Sequence, residues 1–67
     1  MEIIINGQSR EFAEPISVRE LLASLFPDSV KGIAVAVNQS VVPKSDWASF
    51  PLQPRDHVML ITATQGG

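Results

Sequence analysis

His57-Val58-Met59-Leu60-Ile61-Thr62-Ala63 is the stretch that decides the fold. Its valine, isoleucine and threonine suit a pleated, half-buried surface. Period-two alternation sends Val58 and Leu60 toward a core, with Thr62 at its rim. His57, Met59 and Ile61 then point the other way. A strand apolar on both faces belongs inside a sheet rather than at its edge. Beyond it stand only Thr64, Gln65, Gly66 and Gly67.

The other elements arrange themselves around that strand. Glu2 to Asn6 reads as a first strand, and Ile3, Ile4 and Ile5 make it apolar on both faces, hence interior. Asn6-Gly7 signals a two-residue hairpin, because a type I′ turn needs positive φ at both central positions. Gln8 to Ala13 returns as a polar edge strand with Phe12 as its large core candidate. A helix follows, from Ser17 to about Leu25 or Phe26. Ser17 and Glu20 have capping-box spacing, Ile16 and Leu21 have that of a hydrophobic staple, and Pro27 stops the helix. Val18, Leu21, Leu22 and Leu25 share one face, the ordinary signature of core packing.

Ile33 to Val37 is a third strand, with Ala34 and Ala36 on a face where something can pack closely. Asn38-Gln39-Ser40 makes a turn, and Val41-Val42 is a very short fourth strand ended by Pro43. Ser45 is placed to cap a single helical turn that carries Trp47, a core lid by its size. Phe50 or Leu52 packs inward at a bend, and Pro54-Arg55-Asp56 turns the chain into the last strand. The order is β-β-α-β-β-β, with one main helix on one face of a mixed sheet of four to five strands. The last strand is expected parallel to the first. This is an α+β fold of the β-grasp type, with a domain over 1–63 and a flexible tail over 64–67.

Composition bounds the function. At 67 residues the chain is one domain, and folding at this size buries only about 60% of the unfolded surface. Apolar residues make up 45% and charged ones 18%, which fits a folded globular domain rather than a disordered segment. No apolar run reaches the roughly 20 residues of a membrane span. The N-terminus lacks the basic start and long apolar core of a signal peptide, so the cytoplasm is the expected location. Net charge is −2, and Arg10, Arg19, Lys31, Lys44 and Arg55 form no basic stripe, which argues against nucleic acid. Without cysteine there is no disulfide, thiolate metal site or thiol nucleophile. One histidine with scattered carboxylates makes no zinc site, and no Gly-rich phosphate loop is present. No catalytic constellation stands out, so the chain is not expected to be an enzyme by itself, nor to bind a cofactor stably.

What remains is the diglycine. A terminal carboxylate is ionised at neutral pH and can attack the α-phosphorus of a nucleotide, giving an activated mixed anhydride. Glycine has no Cβ, so the carbonyl of Gly67 stays open to the next nucleophile. Thr64 to Gly67 span at most roughly 13–14 Å when extended, enough to thread into a partner's active site while the body docks outside. A frayed tail is the plain alternative. Met59 and Ile61 on the strand leading to it read either as a partner patch or as ordinary surface hydrophobicity.

The chain resembles the ThiS-type sulfur-carrier proteins of thiamine biosynthesis, within the ubiquitin-like β-grasp group. The likeness covers nearly the whole chain. It is carried by Asn6-Gly7, Val18-Arg19-Glu20-Leu21-Leu22, Ala36-Val37-Asn38-Gln39 with Val42-Pro43, Trp47, and the strand from Asp56 to Ile61 leading to Gly66-Gly67. The V-N-x-x-x-V-P-x-x-x-W pattern from Val37 to Trp47 is the more specific part. The resemblance implies that a ubiquitin-activating-like adenylyltransferase adenylates Gly67 with ATP and Mg²⁺. A persulfide donor then displaces AMP to leave a thiocarboxylate, and thiazole synthase takes the sulfur. It also implies a carrier monomeric on its own, with Met59, Ile61, Thr64 and Gln65 on the partner side and Gly66-Gly67 at the reaction centre. Two residues depart from the pattern: Arg55 stands in a turn where relatives often have glycine, and Lys44 where arginine is common. Three rivals remain: the related carrier for molybdopterin synthesis, a ubiquitin-like modifier joined to lysines through Gly67, and a β-grasp binding module with an incidental tail.

Overall fold

A computed structural model of the chain describes residues 1–28 and 32–62. Its elements are β1 (Glu2–Ile5), β2 (Gln8–Glu11), α1 (Val18–Leu25), β3 (Ile33–Val37), β4 (Ser40–Val41), a 3₁₀ helix (Lys44–Ser49) and β5 (His57–Thr62). The sheet has five strands in the order β2-β1-β5-β3-β4. The last strand therefore occupies the centre. It runs parallel to β1, with Ile5 opposite Val58, and antiparallel to β3, with Val35 opposite Leu60. The polar β2 is an edge strand, as its composition predicts. The proposed boundary between body and tail, at residues 63 and 64, lies outside the described residues.

The two hairpins follow from local chemistry. Asn6 and Gly7 both take positive φ, 48° and 83°, as a type I′ turn requires. Asn38 and Gln39 do the same at 50° and 72°. Pairing of Val37 with Ser40 then closes a two-residue loop. This moves the fourth strand one residue from its expected place. It is Ser40–Val41 rather than Val41-Val42, because the tight turn is complete before Ser40. Val42 turns inward and is buried; its N–H still reaches the Val35 carbonyl at 2.9 Å.

The capping box forms as its spacing predicts. The Ser17 hydroxyl accepts from the Glu20 N–H at 3.1 Å, and the Glu20 carboxylate accepts from the Ser17 N–H at 2.9 Å. Val18, Leu21 and Leu22 of α1 are buried against Ile3, Ile5, Val35, Val37 and Val58 of the sheet. Trp47 closes this core with 5% of its surface exposed, and its indole N–H donates to the Val42 carbonyl at 2.9 Å. The turn that carries Trp47 differs from expectation. It is a 3₁₀ helix that starts at Lys44 and has Pro43, not Ser45, at its N-cap, without a side-chain cap. Leu52 rather than Phe50 is the fully buried residue of the following bend.

Arg55 resolves the departure in the turn before β5. Its φ is 68°, in the left-handed region that glycine enters freely and other residues enter at a cost. In that turn the Arg55 N–H donates to the Glu2 carbonyl. Arg55→Gly is therefore expected to stabilise the domain by up to about 1 kcal/mol, since relief of left-handed strain exceeds the added chain entropy. Urea denaturation checks this; a lower midpoint for the glycine variant contradicts it.

Candidate functional site

The sheet has one face under α1 and one face left bare. Register fixes who stands on the bare face. Met59 lies opposite Ala36, and Ile61 opposite Ala34. Val41 flanks Ala36 from the other side, and Ile4 flanks His57. Alanine is too short to cover its neighbours, so Met59 is 57% exposed, Ile61 58% and Val41 77%. These three are the exposed large hydrophobics among the described residues. A shallow recess of about 240 Å³ opens beside them, bordered by Ile4, Asn6, Gln39, His57 and Met59. The result is a continuous apolar strip across β5, β3 and β4, the kind of unpartnered patch that marks a protein interface.

Two asparagines hold β5 in place. Beyond Ile5 the first strand turns away, and the Asn6 side chain continues its role. Its Oδ1 accepts from the Leu60 N–H at 2.8 Å and its Nδ2 donates to the Leu60 carbonyl at 3.3 Å. The amide group thus acts as one further rung of the ladder. At the start of β5, Asn38 Oδ1 accepts from the His57 N–H at 3.0 Å, while its Nδ2 donates to Asp56 Oδ1 at 2.9 Å. The second oxygen of Asp56 accepts from the Gln53 N–H at 2.8 Å. The strand that leads toward Gly66-Gly67 is clasped at its start and again at Leu60 by side chains whose own backbones sit at positive φ.

Of the residues expected at the site, Met59 and Ile61 stand together on the bare face. Thr64, Gln65, Gly66 and Gly67 lie outside the described residues. Sequence reading placed Ala34 and Ala36 on an open face but gave Val41 no role there. It read Asn6 only as a turn residue and missed both clasps. A usable signal was present: asparagine tolerates positive φ and carries an amide that mimics a peptide group.

A family model described as the ThiS family matches residues 3–67. The chain is 36% identical over 67 residues to the sulfur carrier protein ThiS of Escherichia coli K12, covering 100% of both. It is also 36% identical over 67 residues to a thiazole synthase of Paramagnetospirillum magneticum, but spans only 20% of that protein. Among solved structures, the crystal structure of the thiamine biosynthesis protein ThiS from Geobacter metallireducens superposes with a TM-score of 0.85 at 25% identity, covering both chains fully. The solution structure of a thiamine biosynthesis protein from the same organism gives 0.80 at 24% identity over 88% of that chain, a likeness of fold.

The clasp generates a prediction. Asn6→Ala loses both bonds to Leu60 and the residue suited to φ of 48°. It is expected to cost about 1–2 kcal/mol. Amide hydrogen exchange should quicken at Leu60 before the rest of β5; uniform loss of protection along the strand would instead show that the clasp has no local role.

Proposed function

The chain belongs to the ThiS family, and from that premise we propose that it is a sulfur carrier of thiazole formation in thiamine biosynthesis. The full-length match to the Escherichia coli sulfur carrier carries this reading. The Gly66-Gly67 end supplies the chemistry. A Gly67 carboxylate oxygen attacks the α-phosphorus of ATP, with Mg²⁺ held by the activating partner, and pyrophosphate leaves. The terminal sulfur of a partner's cysteine persulfide then attacks the acyl carbon, and AMP leaves. A thiol cleaves the resulting S–S bond, and the thiocarboxylate remains on Gly67. Sulfur on that carbon is a softer and better nucleophile than oxygen, and thiazole synthase receives it. In this scheme the chain is a co-substrate of an adenylyltransferase and of thiazole synthase, acts in the cytoplasm and binds no cofactor stably. The likeness of the whole chain to a fifth of a protein named thiazole synthase supports the pairing with that enzyme.

The bare sheet face is where the adenylyltransferase docks. Met59 and Ile61 form its anchor, because an exposed apolar pair on the strand leading to the tail gains most by burial. Thr64 and Gln65 enter the partner's channel, and Gly66 and Gly67 lie at the nucleotide.

Intact-protein mass spectrometry after incubation with an adenylyltransferase, ATP and a persulfide source tests the carrier role. The expected product gains the mass of one oxygen replaced by sulfur, localised to Gly67. Deleting Gly67 should abolish that gain and leave the thermal midpoint unchanged; sulfur acceptance by the truncated chain would remove the basis of the mechanism. Adducts linked through Gly67 to lysines would assign the chain to protein modification instead.

Ile61→Asp should weaken binding to the adenylyltransferase by about tenfold or more, as loss of an interface anchor does. Stability should change little, since the side chain is already more than half exposed. Parallel losses of binding and stability would assign Ile61 to the core.

A further inference from the structure

A second recess lies on the side of the molecule away from the bare sheet face. It is a trough of about 550 Å³ between α1, the residues that follow it and the 3₁₀ helix. Its apolar lining comes from Leu22, Ala23, Phe26, Pro27, Trp47 and Ala48. Its charged lining is Arg19, Lys44 and Asp28, so two cations meet one carboxylate in a chain of net charge −2. Phe50, at the end of the 3₁₀ helix, accepts from the Val18 N–H at the start of α1. Arg19 therefore stands where the two helices are tied, and Lys44 at the far end of the 3₁₀ helix.

Stability does not account for these cations. The ion pair found among the described residues joins the Met1 ammonium to Glu11; neither Arg19 nor Lys44 has one there. Arg19 also occupies the first turn of α1, where the helix dipole disfavours a cation. The floor asks for no polar contact. The Trp47 indole N–H is committed to the Val42 carbonyl, and no buried side-chain polar atom among the described residues lacks a partner. What is offered outward is an apolar trough whose rim carries two cations without an ion pair among the described residues.

We propose that this trough is a second docking surface, and that it takes a short peptide segment of a partner protein with a bulky apolar anchor flanked by acidic residues. Charge complementarity selects the acidic flanks. The shape selects a segment over a small molecule. Ligand pockets enclose about 70–90% of their occupant, whereas this trough, walled by α1, the residues after it and the 3₁₀ helix, is open to solvent along its length. An apolar side chain laid on Phe26 and Ala48, with carboxylates reaching Arg19 and Lys44, follows the usual division between anchor and rim. A negatively charged lipid surface is disfavoured by the chain's net negative charge. Because the trough and the bare sheet face lie on different sides, both can be occupied at once. The inference does not rest on the sulfur-carrier reading.

The test uses the full ¹⁵N-labelled chain and a blocked peptide with Phe-Leu between pairs of glutamates. Saturable amide shifts are expected at Arg19, Ala23, Phe26 and Ala48, with Met59 and Ile61 unmoved. The same peptide with glutamines should bind at least about tenfold more weakly, as should the original peptide to the Arg19→Glu/Lys44→Glu double variant. Both substitutions are at exposed positions, and the dispersion of the variant's own spectrum reports its folding. If the variant unfolds, the glutamine peptide and the salt dependence of the wild-type complex decide instead. The proposal is overturned by shifts on the sheet face, by equal binding of the glutamine peptide, or by no saturable shift at millimolar peptide. It is equally overturned if hexanoate alone reproduces the shifts and the peptide does not, which would make the trough a small-carboxylate site.

Discussion

Everything in this molecule depends on the parallel contact between its first and last strands. Ile4 faces His57 and Ile5 faces Val58, so β5 lies between β1 and β3. A parallel pair cannot be closed by a hairpin and requires a crossover. Here the crossover is α1 with β3, β4 and the 3₁₀ helix, which is most of the chain. Remove the contact and α1 has no complete floor, because Ile3 and Ile5 on one side and Val35 and Val37 on the other meet through Val58. The strand that leads in sequence to Gly66-Gly67 is thus also the strand that completes the core.

That coincidence makes the division of labour within β5 strict. Val58 is buried and Leu60 half-buried on one face, while Met59 and Ile61 are exposed on the other. A one-residue slip would turn Met59 and Ile61 inward and Val58 and Leu60 outward. The register is held by more than the ladder. Asn6 and Asn38 add side-chain bonds to Leu60 and His57, and Asp56 ties the start of the strand to the preceding bend. A domain this small has little core to spare, so polar clasps at His57 and Leu60 help to fix its central strand.

Much of this was legible in the sequence because it rests on short-range rules. Alternation in β5, the Asn6-Gly7 turn, the Ser17-Glu20 box and the Pro27 stop each depend on residues close in sequence, and each element stands where its residues put it. The differences arise where tertiary demands outrank local preference. Val42 has the composition of a strand residue, but the core draws it inward and Trp47 bonds its carbonyl. The short turn near Trp47 tightens to 3₁₀ geometry because its ends are fixed by Pro43 and by the bond from Val18 to Phe50. The bare face was half legible. Met59 and Ile61 followed from alternation, whereas Val41 joined them through a register with Ala36 that no local pattern encodes. The Asn6 clasp joins residues 54 apart in sequence and was invisible for the same reason.

Left-handed backbone frames β5 at two levels. Asn38, Gln39 and Arg55 take positive φ in turns at the end of the sheet where β5 begins, whereas Asn6 and Gly7 do so in the turn after β1, which, β1 being parallel to β5, lies further along beside Leu60. β5 begins beside Asn38 and Asp56 and runs from there past Asn6 toward Gly66-Gly67 in the sequence. The tight turns therefore hold β5 at its start and again at Leu60. Such an arrangement suits the carrier proposed: bonds from turn residues to His57 and Leu60 set the register of β5, and the bare face then offers Met59 and Ile61 for a partner to grip.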